Sequence, residues 1–319
     1  GSGMARRGGR VRLLVAGLAL VLACRGEMVR GETRQRIELP FEGVIHIHRT
    51  QSEPRELSIH LLLIDLATPG LRFMLTPANG PEAPGETTVE TTRQFVARTG
   101  AQIGVNVSFY KPAPQLPFVD NLFLMVAQGD CYSGFGNGPA INLGRDNRAT
   151  LLTPAAGGAP DDCQPAQDVA PHVAFGGNER LIDGGRNVAA WEELHPRTAA
   201  GLTEDGRLML AVVDGRQPGR SAGMTTPELA ELMLEYGAVE AINLDGGGST
   251  TLVFADPDPR LVNVPVGIDD IAGTERPVGG NLAIFVPYRD GAAEAERPMS
   301  EGDPRWYDGA TTAPAERAR

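Results

Sequence analysis

The sequence predicts a mixed α/β (α+β) fold: a single domain with a central mixed β-sheet flanked by helices, containing a βαβ unit at 207–244. Three observations predict it. The chain has 319 residues, 41% of them hydrophobic, which is enough to bury a sizeable core. Short apolar, β-branched runs are punctuated by 40 Gly and 25 Pro, the pattern of strands and turns. Between 207 and 244 two continuous apolar runs flank a segment of helical period.

At the N-terminus, Gly1-Ser2-Gly3 reads as a cloning remnant before Met4. Arg6, Arg7, Arg10 and Arg12 precede an 11-residue apolar run, 13–23. A membrane-spanning helix needs about 20 apolar residues, so residues 1–23 read as remnant plus export signal. That address implies a bacterial periplasm or cell envelope. Val21-Leu22-Ala23-Cys24 resembles a lipobox, which makes Cys24 the lipid-bearing residue, with plain cleavage near Ala23 as the alternative. Residues 24–40 read as a polar tether, 41–287 as the domain and 288–319 as a disordered, charged tail. With Cys24 spent, Cys131 and Cys163 remain as an even pair for a disulfide in an oxidising compartment.

Runs 44–49 and 57–65 read as a hairpin. Pairing 46 with 60 puts Ile45, Ile47, Ile59 and Leu61 on one face and His46, His48 and His60 on the other. No carboxylate or Cys is fixed beside these imidazoles by spacing, so a solvated polar face is expected and no metal site. Residues 89–98 read as a short helix, 102–109 as a strand carrying Asn106, 112–118 as a proline loop and 153–171 as a surface excursion pinned by Cys163. The run 207–213 has the continuous apolar pattern of a strand buried on both faces, as in parallel sheets. It ends at Asp214-Gly215-Arg216. A helix follows, with Thr226 as N-cap, Pro227 at N1 and Gly237 as C-cap. The run 239–244 is a second buried strand, ending at Asp245-Gly246-Gly247-Gly248-Ser249. A right-handed crossover places both Asp-Gly corners on the carboxyl edge, where such sheets bind ligands. On neighbouring or next-neighbouring strands, Asp214 and Asp245 would then stand roughly 5–10 Å apart, the range of paired glycosidase carboxylates.

Composition excludes several classes. A formal net charge of −11 gives no electrostatic footprint for nucleic acid. The single lysine, Lys111, sits in YKPAP, so no Walker-A loop exists. No Cys-x-x-Cys pair occurs, which removes zinc ribbons and thioredoxin-type sites. Gly219-Arg220-Ser221-Ala222-Gly223 matches the nucleophile-elbow pattern, but it does not sit at a strand-to-helix turn and no His follows His195. Three glycines between Asp245 and Ser249 suit an anion or sugar cradle, because bare backbone N–H groups can approach an oxygen closely. Arg197 and Arg216 suit phosphate. Asn106, Asn243 and Asn281, in or beside buried strands, demand hydrogen-bond partners.

The stretches GVNVSFY, RTAAGL, VVDGRQPGRSAGMTTPELAELMLEYGA, AINLDGGGSTTLVF and GGNLAIFV resemble the phosphodiester glycosidase domain family. That family includes the lysosomal "uncovering" enzyme and bacterial exopolysaccharide-associated proteins, and the likeness runs from 41 to 287. It implies hydrolysis of the sugar C–O bond in an N-acetylglucosamine-1-phosphodiester within a glycan or envelope polymer, with no cofactor. The matching positions are Asp245, Asp214, Arg197 and Arg216 as catalytic residues. Asn106, Thr198, Gly215, Ser221, Asn243, Gly246, Gly247, Gly248, Ser249 and Asn281 match as substrate-binding residues. Asp245 would attack the anomeric carbon or activate water, with Asp214 as partner, and the two arginines would hold the departing phosphate. Two other readings stay open: a metal-dependent phosphodiesterase that breaks the P–O bond, and a non-catalytic envelope glycan-binding protein. Membrane contact is expected only through the N-terminal lipid, and the oligomeric state is left undetermined.

Overall fold

Antiparallel β-structure, rather than a helix-flanked mixed sheet, organises the chain. The computed structural model describes residues 28–30, 33–112 and 116–288. The export signal, Cys24 and the tail from 289 onward lie outside the described residues. Within these described residues four sheets of nine, five, five and three strands are formed, and their strands pair antiparallel. Among the described residues the α-helices are Thr92–Thr99 and Thr226–Glu235. The expected α/β architecture is therefore corrected to a mostly-β one.

The reason lies in how burial was read. In the central strand Arg207–Val213, Leu208, Leu210 and Val212 face one core while Met209, Ala211 and Val213 face another. In the neighbouring Leu57–Asp65 strand, Leu62 and Ile64 join the first core and Ile59 and Leu61 the second. The nine-stranded sheet is thus a middle layer. The two five-stranded sheets cover one face, contributing Phe73, Ile103, Ile141, Phe175 and Leu252 among others. Helix Thr226–Glu235 covers the other with Leu229, Ala230, Leu232 and Met233. Each large side chain buried there contributes roughly 1.5–3 kcal/mol. An antiparallel sheet sandwiched in this way carries the same continuous apolar run as a parallel one, so the run reports double burial and not strand direction.

The strand–helix–strand order over 207–243 is present, but its strands are not neighbours. Arg197–Thr203 lies between Arg207–Val213 and Ala238–Asn243 and is antiparallel to both. Those two strands therefore run the same way, and both Asp-Gly corners reach one edge. Because the intervening strand runs backwards, its first residues, Arg197 and Thr198, reach that edge as well: Arg197 is opposite Val213 and Ala199 opposite Asn243. The helix is capped by Thr225, one residue before the position expected, in a reciprocal capping box with Glu228. Gly237, at φ 94°, follows the C-cap.

Three further expectations change. Part of the anticipated tether, Thr33–Phe41, is a strand paired with Val44–Gln51. The hairpin pairs His48 with His60 and His46 with Leu62, a two-residue shift that keeps all three imidazoles on one face. That face is covered over His46 and His60, while His48 stays half-buried beside a cavity. His46 and His60 are buried, their Nε2 and Nδ1 are 3.0 Å apart, and His46 meets the edge of Phe254. Burial lowers the affinity of both rings for a second proton, His46 to about 4. Alternation assigned the face correctly, but only the overlying sheet decides that it is covered. Among the described residues no group of three or more His, Cys, Asp or Glu is arranged to hold a metal ion. Cys131 and Cys163 form a disulfide at the outer edge of one five-stranded sheet. No helix of the described residues is long and apolar enough to cross a membrane.

Candidate active site

At the edge where the strand ends converge, a cavity of about 300 Å³ opens. Of the expected residues, Arg197, Arg216, Asn243, Asp245, Gly246, Gly247 and Gly248 line it. Phe109, Asn178, Trp191, His195, Pro196 and Arg276 complete the lining, so Asp245 is the one carboxylate among three guanidiniums.

Asp245 is held from both sides. Its backbone N–H donates to Val107 O at 3.2 Å, and its carbonyl accepts from Asn106 Nδ2 at 2.7 Å. Asn106 is fully buried, and its Oδ1 accepts from Thr198 Oγ1 and the Thr251 N–H at 2.9 and 3.0 Å. This buried amide locks the corner to the neighbouring sheet, and Asn106 does not line the cavity. On the side chain, Ser249 Oγ donates to Oδ2 at 2.5 Å, and Arg276 reaches the same oxygen at 3.4 Å while also donating to Ser249. Burial nevertheless outweighs these partners and pushes the carboxyl up from 3.8 to about 6.

The glycines serve close approach. Gly247, at φ 59°, faces the Arg216 guanidinium, and a Cβ there would stand 3.2 Å from Arg216 Nη2. A Cβ on Gly248 would fall 1.7 Å from Gly267 O. Arg216 itself adopts φ 56°, a left-handed conformation uncommon for a long side chain. Its Nη1 donates to Asp270 Oδ1 at 3.0 Å and its Nη2 to His195 Nδ1 at 3.2 Å. A guanidinium only donates, so the neutral ring carries its proton on Nε2, which faces Glu193 Oε2 at 3.1 Å. Arg197 is buried and donates to two carbonyls, Met224 O at 2.9 Å and Glu193 O at 2.5 Å. Desolvation lowers its pKa.

Asp214 reaches the same edge but does not line the cavity. Its side chain is fully buried, accepts from Asn263 Nδ2 at 3.0 Å and the Val264 N–H at 3.1 Å, and lies 3.6 Å from Arg220. Burial raises its pKa too. Ser221 Oγ donates to Asp214 O at 2.5 Å and accepts from the Ser58 N–H, so it closes the 214–221 loop. Gly215 packs against Pro196, where a Cβ would stand 2.6 Å from its nitrogen. Asn281 accepts from Thr92 Oγ1 at 2.7 Å and ties the first helix to its sheet. The paired-carboxylate geometry expected from the two corners is therefore not what the cavity presents. Sequence reasoning missed Arg276, which arrives on a loop between Glu275 and Pro277 with no local motif to mark it. It missed Asn178 and Trp191 for the same reason, and Phe109 although the GVNVSFY stretch carries it.

Comparison with known proteins supplies the context. A family model described as phosphodiester glycosidase matches residues 99–285. The chain is 37% identical over 106 residues to the SPbeta prophage-derived uncharacterized protein YomE of Bacillus subtilis, covering 32% of this chain and 15% of that protein. It is 49% identical over 58 residues to N-acetylglucosamine-1-phosphodiester alpha-N-acetylglucosaminidase of Bos taurus, covering 18% of this chain and 11% of that protein. These matches span well under a fifth of the relatives' own length. Among solved structures, the zebrafish N-acetylglucosamine-1-phosphodiester alpha-N-acetylglucosaminidase catalytic domain superposes with a TM-score of 0.57. Identity there is 18%, over 80% of this chain and 84% of that one, a likeness of fold.

Proposed function

The chain belongs to the phosphodiester glycosidase family, and from that premise we propose an exported hydrolase that cleaves the sugar C–O bond of a glycosyl-1-phosphodiester. Free sugar and a phosphomonoester would be the products, and a GlcNAc-1-phosphate linkage in an envelope glycan the substrate. The observation that carries this reading is a single buried carboxylate, Asp245, in a cavity shared with three guanidiniums. Arg197, Arg216 and Arg276 take the phosphate, and Asp245, once ionised, supplies its own oxygen or activates water at the anomeric carbon. The C–O bond breaks with its electron pair going to the phosphate oxygen, and the elements of water end on the sugar and the phosphate. A phosphomonoester is already a good leaving group and the guanidiniums stabilise its charge, so a second carboxyl acting as general acid is dispensable. Asp214 then serves as a positioning residue that holds the 263–264 segment against the corner. Ser249 and the three glycines orient the substrate's oxygens.

Hydrolysis of a methyl GlcNAc-1-phosphodiester in ¹⁸O-water tests the assignment. Label in the sugar's anomeric hydroxyl is expected. Label in the phosphate would mean P–O cleavage and would overturn the mechanism, and saturable binding without turnover would favour a glycan-binding protein.

A further inference from the structure

The phosphate-binding edge of the cavity already contains an anion of the protein's own. Asp270 lies on the 266–274 loop, which is closed by a Val266–Thr274 bridge and by the Gly273 N–H donating to Pro265 O at 2.8 Å. Thr274 Oγ1 donates to Ile271 O at 2.6 Å, and Gly267 O lies against Gly248. The loop is thus braced on the glycine corner, and from it Asp270 meets Arg216 at 3.0 Å. Both partners hold left-handed backbone, Asp270 at φ 54° and Arg216 at φ 56°. Left-handed backbone is readily adopted by Asp but uncommon for Arg, so it is Arg216 that the surrounding structure holds in place for the contact.

Charge bookkeeping along this edge is uneven. Arg276 faces Asp245 and Arg216 faces Asp270, whereas Arg197 meets only carbonyl oxygens. Of the other groups nearby, His195 accepts from Arg216, and Glu193 turns to His195 with its side chain 74% exposed. Arg197 is thus the guanidinium of this recess with no carboxylate in contact, Glu179 and Glu193 acting on its charge only from a distance, which suits a ligand of low negative charge. A phosphodiester carries one negative charge at neutral pH, while a phosphomonoester approaches two above its second pKa of about 6. A phosphate held by Arg216 would lie roughly 6 Å from the Asp270 carboxylate.

We propose that Asp270 is a specificity-determining residue that rejects phosphomonoesters and admits phosphodiesters, by occupying half of the Arg216 guanidinium with a fixed negative charge. This rests on the reading of Arg216 as a phosphate ligand, though not on which bond is broken. Discrimination of this kind works through a repulsive element aimed at the wrong ligand. It also keeps the enzyme from being held by glycosyl-1-phosphate monoesters.

Calorimetric titration of GlcNAc-1-phosphate and its methyl ester at low ionic strength tests the proposal. Both proteins carry Asp245→Asn, so that the ester is not consumed and position 245 does not titrate; one is otherwise wild type and the other carries Asp270→Asn as well. The protein that keeps Asp270 is expected to prefer the diester by about five- to ten-fold at pH 7.5, a modest factor because both partners are partly exposed. That preference should shrink at pH 5.5, where the monoester is largely monoanionic. The protein with Asp270→Asn added is expected to bind the monoester five- to ten-fold more tightly at pH 7.5 and the diester within two-fold of the other, with little pH dependence of the ratio. A merely structural role would move both affinities together. Equal binding of the two esters where Asp270 is kept, or an unchanged ratio with Asp270→Asn, or failure of either ester to bind, would overturn the proposal. Cleavage on the phosphorus side in ¹⁸O-water would overturn the glycosidase mechanism while leaving this inference standing.

Discussion

Asp245 combines deep burial with a hydroxyl and a guanidinium partner, and burial wins: its carboxyl rises to about 6. If the ionised form is the active one, kcat/KM should climb through pH 6, because each protonated molecule lacks its nucleophile or base. Arg276 favours the charged form, so Arg276→Met should move that limb to higher pH as well as weaken substrate binding, which a pH–rate profile checks. The same group carries a stability consequence. Between about pH 4 and 6 the unfolded chain has released this proton while the folded chain still holds it, so stability falls as pH rises through that window. Asp245→Asn keeps an acceptor for Ser249 and Arg276 and removes the buried charge. It should abolish turnover, gain up to about 2–3 kcal/mol in urea unfolding at pH 7.5, and gain nothing at pH 4. Equal stabilisation at both pH values would show that burial of the charge is not the cause.

The catalytic edge is assembled from strand ends whose direction alternates. An antiparallel order brings Arg197, at the start of one strand, beside Asp245, which follows the end of the next. The glycine corner then has to fit between the Arg216 guanidinium and the 266–274 loop. Gly248→Ala drives a Cβ into a backbone carbonyl that cannot rotate away, so it should cost about 1–3 kcal/mol of stability and displace Arg216 and Asp270 together. Denaturant unfolding and substrate affinity measured on one variant check both effects. Much at this scale was readable from sequence. The second helix, with its N-cap placed one residue late, and the two Asp-Gly corners follow from local chemistry. What local chemistry lacked was the strand between the corners: residues 197–203 precede both in the chain and intrude only through long-range pairing.

Across the whole molecule, the central strands of the nine-stranded sheet are buried on both faces, and the disulfide secures the outer edge of a five-stranded sheet. It joins residues 32 apart, which in the chain-entropy model corresponds to about 3–4 kcal/mol. Reduction, or Cys131→Ser with Cys163→Ser, should lower unfolding stability by that order. Activity at 25 °C should be retained, because neither cysteine lines the site. Loss of activity without loss of stability would contradict that separation. The chain's net negative charge and the three guanidiniums of the cavity belong to the same contrast, an acidic molecule with a locally basic recess.

By itself the sequence determined a handful of the strands, the 44–65 hairpin and the runs at 207–213 and 239–244 among them, together with the Asp-Gly corners, the cysteine pair by elimination and the family the motifs resemble. The strands and corners depend on alternation and turn chemistry, which act over a few residues. Only the tertiary structure decided the rest. Whether a doubly buried strand is parallel, whether the histidine face is dry, and whether Asp214 reaches the cavity all depend on what lies against each element. The same holds for the arrival of Arg276 and Asp270 at Asp245 and Arg216. Their partners stand 31 and 54 residues away in the chain, and no spacing rule spans a loop of that length.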